Sequence, residues 1–433
     1  MNVFLLGIYI IIIMIRPMEW WEPVQGWQLI NIGAIATWLV GVPVFLNRSR
    51  AIWQQIPQLK LAILFWFTLM LSFALHGYLG GILLVFQELG KVIFFFVLLV
   101  VLVEDLKGFN TLLWALQVGI LFLAVHAILQ HNTGVGFGGK LPSPRPNELT
   151  GEITYQARAF GTFDDPNDLC LLLVVGVPLF FVLYKIGANP LQKAFAISGC
   201  ILSGYGAWCT NSRGGVVAAF GMIGAFVLVQ MRGIKRYLTA GFAFSVVTVL
   251  APSRFGGGGG FIGKDRSELW GDGLNMFKSN PIFGVGYHEF VDNTARHQVA
   301  HNSFVHTLAE GGIAGYLPFF LLLYLTMVQL RRLINEKKIM SKQDYHILSG
   351  VFAALAGDFT GMYFISRQYQ HIFYTLLAVS ITLTYLVSKK YDLQSLIFGQ
   401  ARKDIRMGML FGLGSIVVMW ITIRLANVFG GGG

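Results

Sequence analysis

The chain has 433 residues, of which 55% are hydrophobic and 12% charged, with a mean hydropathy of +0.63. Soluble proteins carry about 25% charged residues, so a soluble fold is excluded. The net charge of +11 comes with no basic stripe interleaved with aromatics, which excludes nucleic acid as the partner.

The apolar residues fall into blocks of roughly 17–22, the length that crosses a hydrocarbon core of about 30 Å. Taken in chain order, spans are expected near 2–15, 27–46, 60–77, 81–103, 111–129, 168–184, 194–209, 214–231, 237–252, 312–330, 347–363, 371–388 and 407–424. The first block lacks an Ala-x-Ala cleavage site and is read as a retained span. Barrel strands would show ten-residue alternation, which is absent. In lipid the backbone must satisfy its own hydrogen bonds, so the blocks are helices. The expected fold is an all-α polytopic integral membrane protein of about 12–13 transmembrane helices.

Lys and Arg in the short loops orient the chain. One alternate set of loops, which includes Arg48, Arg50, Lys107, Lys185, Arg236, Arg331, Lys338, Lys389 and Arg406, holds 19 bases against six acids; the other holds 12 against 13. The positive-inside rule makes the first set cytoplasmic. With 13 spans the N-terminus is inside and the C-terminus outside. Cys170, Cys200 and Cys209 lie in or at apolar spans without a CxxC, and read as small packing residues.

One membrane domain is expected over 1–433, with outer loop A at 130–167 and outer loop B at 253–311. Loops above about 15 residues are usually functional or disordered. Loop A opens with an irregular Gly- and Pro-rich stretch, Gly134 to Pro146. It ends in Pro166-Asn167-Asp168, a turn and helix cap. Loop B opens with Gly256 to Gly260. It continues with a helical stretch from Arg266 through Met276, a turn at Asn280-Pro281, Gly284-Val-Gly286, and a helix start near Ala300-His301-Asn302-Ser303.

Four groups collect on the outer side: Arg158 in loop A, Arg213 in a short turn followed by Gly214 and Gly215, and Arg266 and His301 in loop B. Each arginine is either a snorkelling surface side chain or an anion ligand. At Arg213 a helix N-terminus and the guanidinium fork would both favour a phosphate. Three roles are open to His301: a satisfied loop histidine, a zinc ligand with His297 at helical i, i+4 spacing, or a general base. Asp164 and Asp165 read as a capping cluster. Within the spans, Glu88 and Lys91 read as a structural ion pair three residues apart, and Asp358 has no evident partner.

These residues together resemble the O-antigen ligase/O-antigen polymerase superfamily. Its signature is similar to His301-Asn302, nine residues, Gly312, three residues, Tyr316. The flanking pieces also match: Gly284-x-Gly286, Glu310-Gly-Gly312, Arg158-x-x-Gly161-Thr162-Phe163, Ser212-Arg213-Gly214 and Arg266-x-x-x-Trp270. The resemblance implies a fold similar to the GT-C class of membrane glycosyltransferases, with no cofactor and no metal. It implies a bacterial inner-membrane enzyme whose site faces the periplasm or exterior. The donor would be a glycan on undecaprenyl diphosphate; the acceptor would be another glycan, lipid A core or a protein hydroxyl, in contact with membrane lipid. By the same carry-over, His301 activates the acceptor hydroxyl and Arg158, Arg213 and Arg266 bind the diphosphate. Asn302, Gly284, Gly286, Gly312 and Trp270 support them. The competing class is a multi-span transporter of a small anion or glycolipid, which would place its charges near the midplane in broken helices.

Overall fold

The structure, a computed structural model, describes residues 2–146, 152–230 and 264–430. The expected span at 237–252, the glycines 256–260, and Arg232, Lys235 and Arg236 lie outside the described residues.

Each of the other expected spans falls on one helix. Ahead of loop A these are α1 (Asn2–Ile15), α2 (Leu29–Gln55), α3 (Pro57–Leu75), α4 (Leu79–Leu102) and α5 (Leu106–Thr133). After it come α6 (Pro166–Ile186), α7 (Pro190–Cys209) and α8 (Arg213–Gln230). Loop B carries α9 (Lys264–Ser279) and α10 (Glu289–Asp292). The last part holds α11 (Ser303–Asn335), α12 (Lys342–Gly361), α13 (His371–Lys390), α14 (Gln394–Phe398) and α15 (Ala401–Gly430). Among the described residues, eight stretches are long and apolar enough to cross a membrane by length and composition. The chain is therefore an all-α polytopic membrane protein. Helices α1, α7, α8 and α12 are not among those eight, α8 being a shorter apolar helix.

Burial ranks the helices. In α13, 94% of the apolar window is buried, against 11% in α2. Helix α13 is thus central, touching α4, α5, α11 and α12, while α2 offers most of its surface outward. Helix α12 packs on α6 and α8, and α11 packs on α3, α9 and α15.

Polar contacts sort the helix ends into two faces. At one face Arg48 meets Glu104 at 3.1 Å, Arg332 meets Asp404 at 2.7 Å, and Lys390 meets Asp344 at 2.7 Å. All six belong to the base-rich set. At the other face the Gly161 N–H donates to Glu19 Oε2 at 3.0 Å, and His76 Nε2 lies 3.3 Å from Asn280 Oδ1.

Loop A is more ordered than its composition implies. Ser143–Pro146 forms β1, paired antiparallel with β2 (Ile153–Gln156) in the register Ser143↔Gln156 and Arg145↔Thr154. The prolines fit because a two-stranded ribbon is all edge, where a missing N–H costs no ladder bond. The cap of α6 is Asp165, whose carboxylate accepts from the Asn167 N–H at 2.7 Å, with Pro166 as first helical residue. Loop B is helical over Lys264–Ser279, and α11 starts where expected. His297 and His301 are not on one helical turn. Both have left-handed backbone, at φ 49° and 47°, in irregular chain.

Candidate active site

Three short segments meet at the loop-A face. The first is the end of loop A. From β2, Gln156 Nε2 donates to the carbonyls of Thr210 and Asn211 at 3.2 and 3.0 Å, tying loop A to the α7–α8 turn. Ser212 Oγ then donates to Asn167 Oδ1 at 2.6 Å and accepts from the Gly215 N–H at 3.2 Å, so it caps α8 and leaves Arg213 as its first residue. Helix α8 approaches α6 closely here: a Cβ on Gly215 would lie 2.0 Å from Cys170 Sγ.

The second segment is α9. Trp270 is buried and its indole N–H donates to the Ala300 carbonyl at 2.8 Å. That bond fixes α9 against the residue before His301. One turn earlier on the same face, Arg266 lies over the Phe364 ring, 5.9 Å from its centroid. Phe364 also packs against Gly214, beside Arg213.

The third segment is the start of α11. Asn302 accepts from the N–H groups of Phe304 and Val305 at 3.0 and 3.1 Å, the expected N-cap geometry. Ser303 locks this turn to the α12–α13 connection: its N–H donates to the Met362 carbonyl at 2.8 Å, and its Oγ donates to the Ile365 carbonyl at 2.7 Å.

Gly284 of loop B and Gly312 of α11 have their reason where loop and helix meet. The helix is broken at Gly312, at φ 57° and ψ −160°. The turn-rich run 281–286 lies in the break. N–H groups of Val285 and Gly286 donate to the carbonyls of Ala309 and Glu310 at 3.0 Å each; those of Ile313 and Ala314 donate to Pro281 and Ile282 at 2.9 Å each. The approach leaves no room for side chains: a Cβ on Gly284 would sit 2.3 Å from the Glu310 carbonyl carbon, and one on Gly312 would sit 2.4 Å from Ile282 O.

The electrostatics join Arg213, Arg266 and His301. Burial first, then the charges of Arg213 and Arg145, push the Arg266 guanidinium down to about 10, with Asp165 opposing. Burial, then Arg266, holds the His301 imidazole below its ordinary 6.5, again with Asp165 opposing. The result is a cluster of cationic side chains with His301 and the Asp165 carboxylate beside it. Arg158 stands in other contacts: its Nη1 is 3.4 Å from Asp164, which Lys140 also meets at 2.5 Å, and its Nε donates to the Leu141 carbonyl at 3.0 Å.

Sequence reasoning missed two groups. Arg145 joins the cluster from β1, and a buried ion triad lies beneath it. Arg367, wholly buried, is 3.2 Å from Asp168 and 3.0 Å from Asp358, giving Asp358 the partner its sequence context hides. The Arg367 N–H donates to Ser303 Oγ at 2.9 Å, so the triad ties the start of α6 to the His301 turn. Glu88 does not pair with Lys91. Its carboxylate instead lies 3.5 Å from the Tyr287 hydroxyl and 3.8 Å from His288 Nε2, because the descending loop 284–288 supplies closer partners.

The fold is thus a many-helix membrane scaffold that gathers several arginines beside a histidine at one face. Residues 198–320 match the family described as O-antigen ligase. That match covers Arg213, Arg266, His301, Gly312 and Tyr316, and it bears out the resemblance to the O-antigen ligase/polymerase superfamily, a group of membrane glycan ligases and polymerases. No curated protein matches the chain.

Proposed function

We propose that the protein transfers a glycan from undecaprenyl diphosphate to an acceptor hydroxyl at the outer face of the bacterial inner membrane, without a metal and with inversion. The observation that carries this reading is the crowding of Arg213, Arg266 and Arg145 around a half-buried site that also holds His301. Like charges brought together out of water repel, and a diphosphate relieves that repulsion. Guanidinium forks suit it by bidentate geometry. Arg158 joins them if donor binding releases it from Asp164.

In the reaction, His301 takes the proton from the acceptor hydroxyl as its oxygen attacks the anomeric carbon. The bond from that carbon to the diphosphate oxygen breaks, the anomeric configuration inverts, and the lipid diphosphate leaves with its charge held by the arginines. Held below its ordinary value, the imidazole is free to accept a proton at neutral pH. Positioned cations at a developing phosphate charge typically contribute a few kcal/mol each.

The test is transfer by purified protein in nanodiscs from lipid-linked donor. His301→Ala should lower the rate by about 10²–10⁴-fold while donor binding persists. Activity should survive EDTA. Loss with EDTA and recovery with zinc would overturn the histidine-base mechanism, as would full activity in His301→Ala.

A further inference from the structure

Helix α4 is an unbroken apolar span, yet Glu88 and Lys91 on one of its faces are both exposed. Charges within a span face a protein cavity or water rather than lipid. Lys91 forms no ion pair among the described residues. The loop at Tyr287 and His288 dips to meet Glu88. One further turn along α4, Phe95 lies 6.4 Å from the His371 ring, and Lys91 and Arg16 are within electrostatic reach of that ring. His371 Nε2 is buried with no hydrogen-bond partner among the described residues. Glu88, Lys91, His288 and His371 therefore gather in one polar cluster beside the rings of Tyr287 and Tyr369, which are tilted at 58° to each other with centroids 4.6 Å apart.

This cluster connects to the arginine site through Glu310. The Tyr369 hydroxyl donates to Glu310 Oε2 at 2.6 Å, and His306 Nε2 lies 2.9 Å from Glu310 Oε1. His306 in turn is within electrostatic reach of His301.

We infer that this cluster is the acceptor subsite and that its ligand is a saccharide whose reacting end passes Tyr369 to reach His301. The inference rests on the glycosyl-transfer reading. The donor set differs in kind from the arginine pocket. A carboxylate, an ammonium, imidazoles and a phenol exchange hydrogen bonds with hydroxyls in both directions, and aromatic rings cover sugar C–H faces. Glu88 would repel a diphosphate, so the two halves of the substrate pair sort themselves by charge.

The test uses protein in nanodiscs and, as probe, the water-soluble oligosaccharides released by mild acid from the host's own surface glycan. Binding is read by saturation-transfer NMR on the inactive His301→Ala background, and transfer kinetics on the active one. Glu88→Gln and Lys91→Met should each weaken oligosaccharide binding and raise the acceptor KM by about tenfold, the worth of one hydrogen bond to a charged group. Donor KM should stay unchanged, which also reports an intact fold. Acceptor KM and binding within twofold of wild type in both variants would overturn the subsite, as would a raised donor KM alone. If wild-type protein binds the oligosaccharide through Glu88 yet transfers nothing, the subsite stands and glycosyl transfer falls. If it transfers normally and is indifferent to Glu88, the reverse holds.

Discussion

Gly312→Ala isolates the break in α11. At φ 57° and ψ −160° the residue occupies backbone space that is essentially glycine's, and a methyl group there would lie 2.4 Å from Ile282 O. If loop and helix hold their places, the backbone strain is about 1–3 kcal/mol before any steric clash is counted. If the loop withdraws, the four bonds joining 281–286 to 309–314 are lost, at about 0.5–1.5 kcal/mol each, or about 2–6 kcal/mol together. Either route removes a large part of a typical stability of about 5–15 kcal/mol. The neighbouring Gly311 is the control. Its added Cβ would meet Leu69 Cδ2 at 3.4 Å and the Tyr316 backbone N at 3.9 Å, both ordinary contacts. Gly311→Ala should therefore be neutral or gain up to about 1 kcal/mol of helix propensity. The assay is the SDS-unfolding midpoint in mixed micelles, followed by indole fluorescence, with glycan transfer measured alongside. Gly312→Ala should lower both midpoint and transfer, and Gly311→Ala neither. Equal behaviour of the two variants would refute the account of the break.

The remaining predictions concern the site and its orientation. With His301 held below 6.5, the acid limb of kcat/KM should fall below pH 6.5. Arg266→Met should move that limb upward, because one charge that disfavours protonation is gone; a limb that stays put would detach Arg266 from His301. By the same sign, protonating His301 costs stability as pH falls below its unfolded value, so the protein should lose stability on the acid side through this group. Arg213→Lys should leave donor binding about 10-fold weaker, since a point charge replaces a fork; donor titration by microscale thermophoresis reads it, and full affinity would remove Arg213 from the site. Asp292→Cys should react with an impermeant maleimide on intact spheroplasts. Reaction only after the inner membrane is opened would invert the orientation.

Helices were legible because each needs a long apolar run, and no other use of such a run fits this composition. Gly284, Gly286 and Gly312 were legible as a set with His301, though only the structure gives their reason, the contact between two segments whose bonded residues are 24 or more positions apart. The β1–β2 ribbon was hidden by Pro144 and Pro146, whose usual meaning is irregular chain. Arg145 went unnoticed for the same reason. Asp358 and Arg367 are nine residues apart across a helix end, a spacing that matches no local rule. Glu88 and Lys91 do match one, i and i+3 on a helix, and the rule failed because a distant loop came nearer. Helical spacing misled again at His297 and His301, where left-handed backbone breaks the turn.

The buried triad sets a timetable for assembly. Asp168 enters the membrane with α6, whereas its guanidinium partner is Arg367, ahead of α13. At about 5–20 residues per second, the intervening synthesis takes roughly 10–40 s. During that interval Asp168 cannot occupy its final buried place, because a buried carboxylate without its counter-charge costs several kcal/mol. The start of α6, and with it the floor under Arg213, must wait near water until the α12–α13 hairpin crosses. Chains released before residue 367 therefore hold Arg145, Arg213 and Arg266 and still lack a finished site.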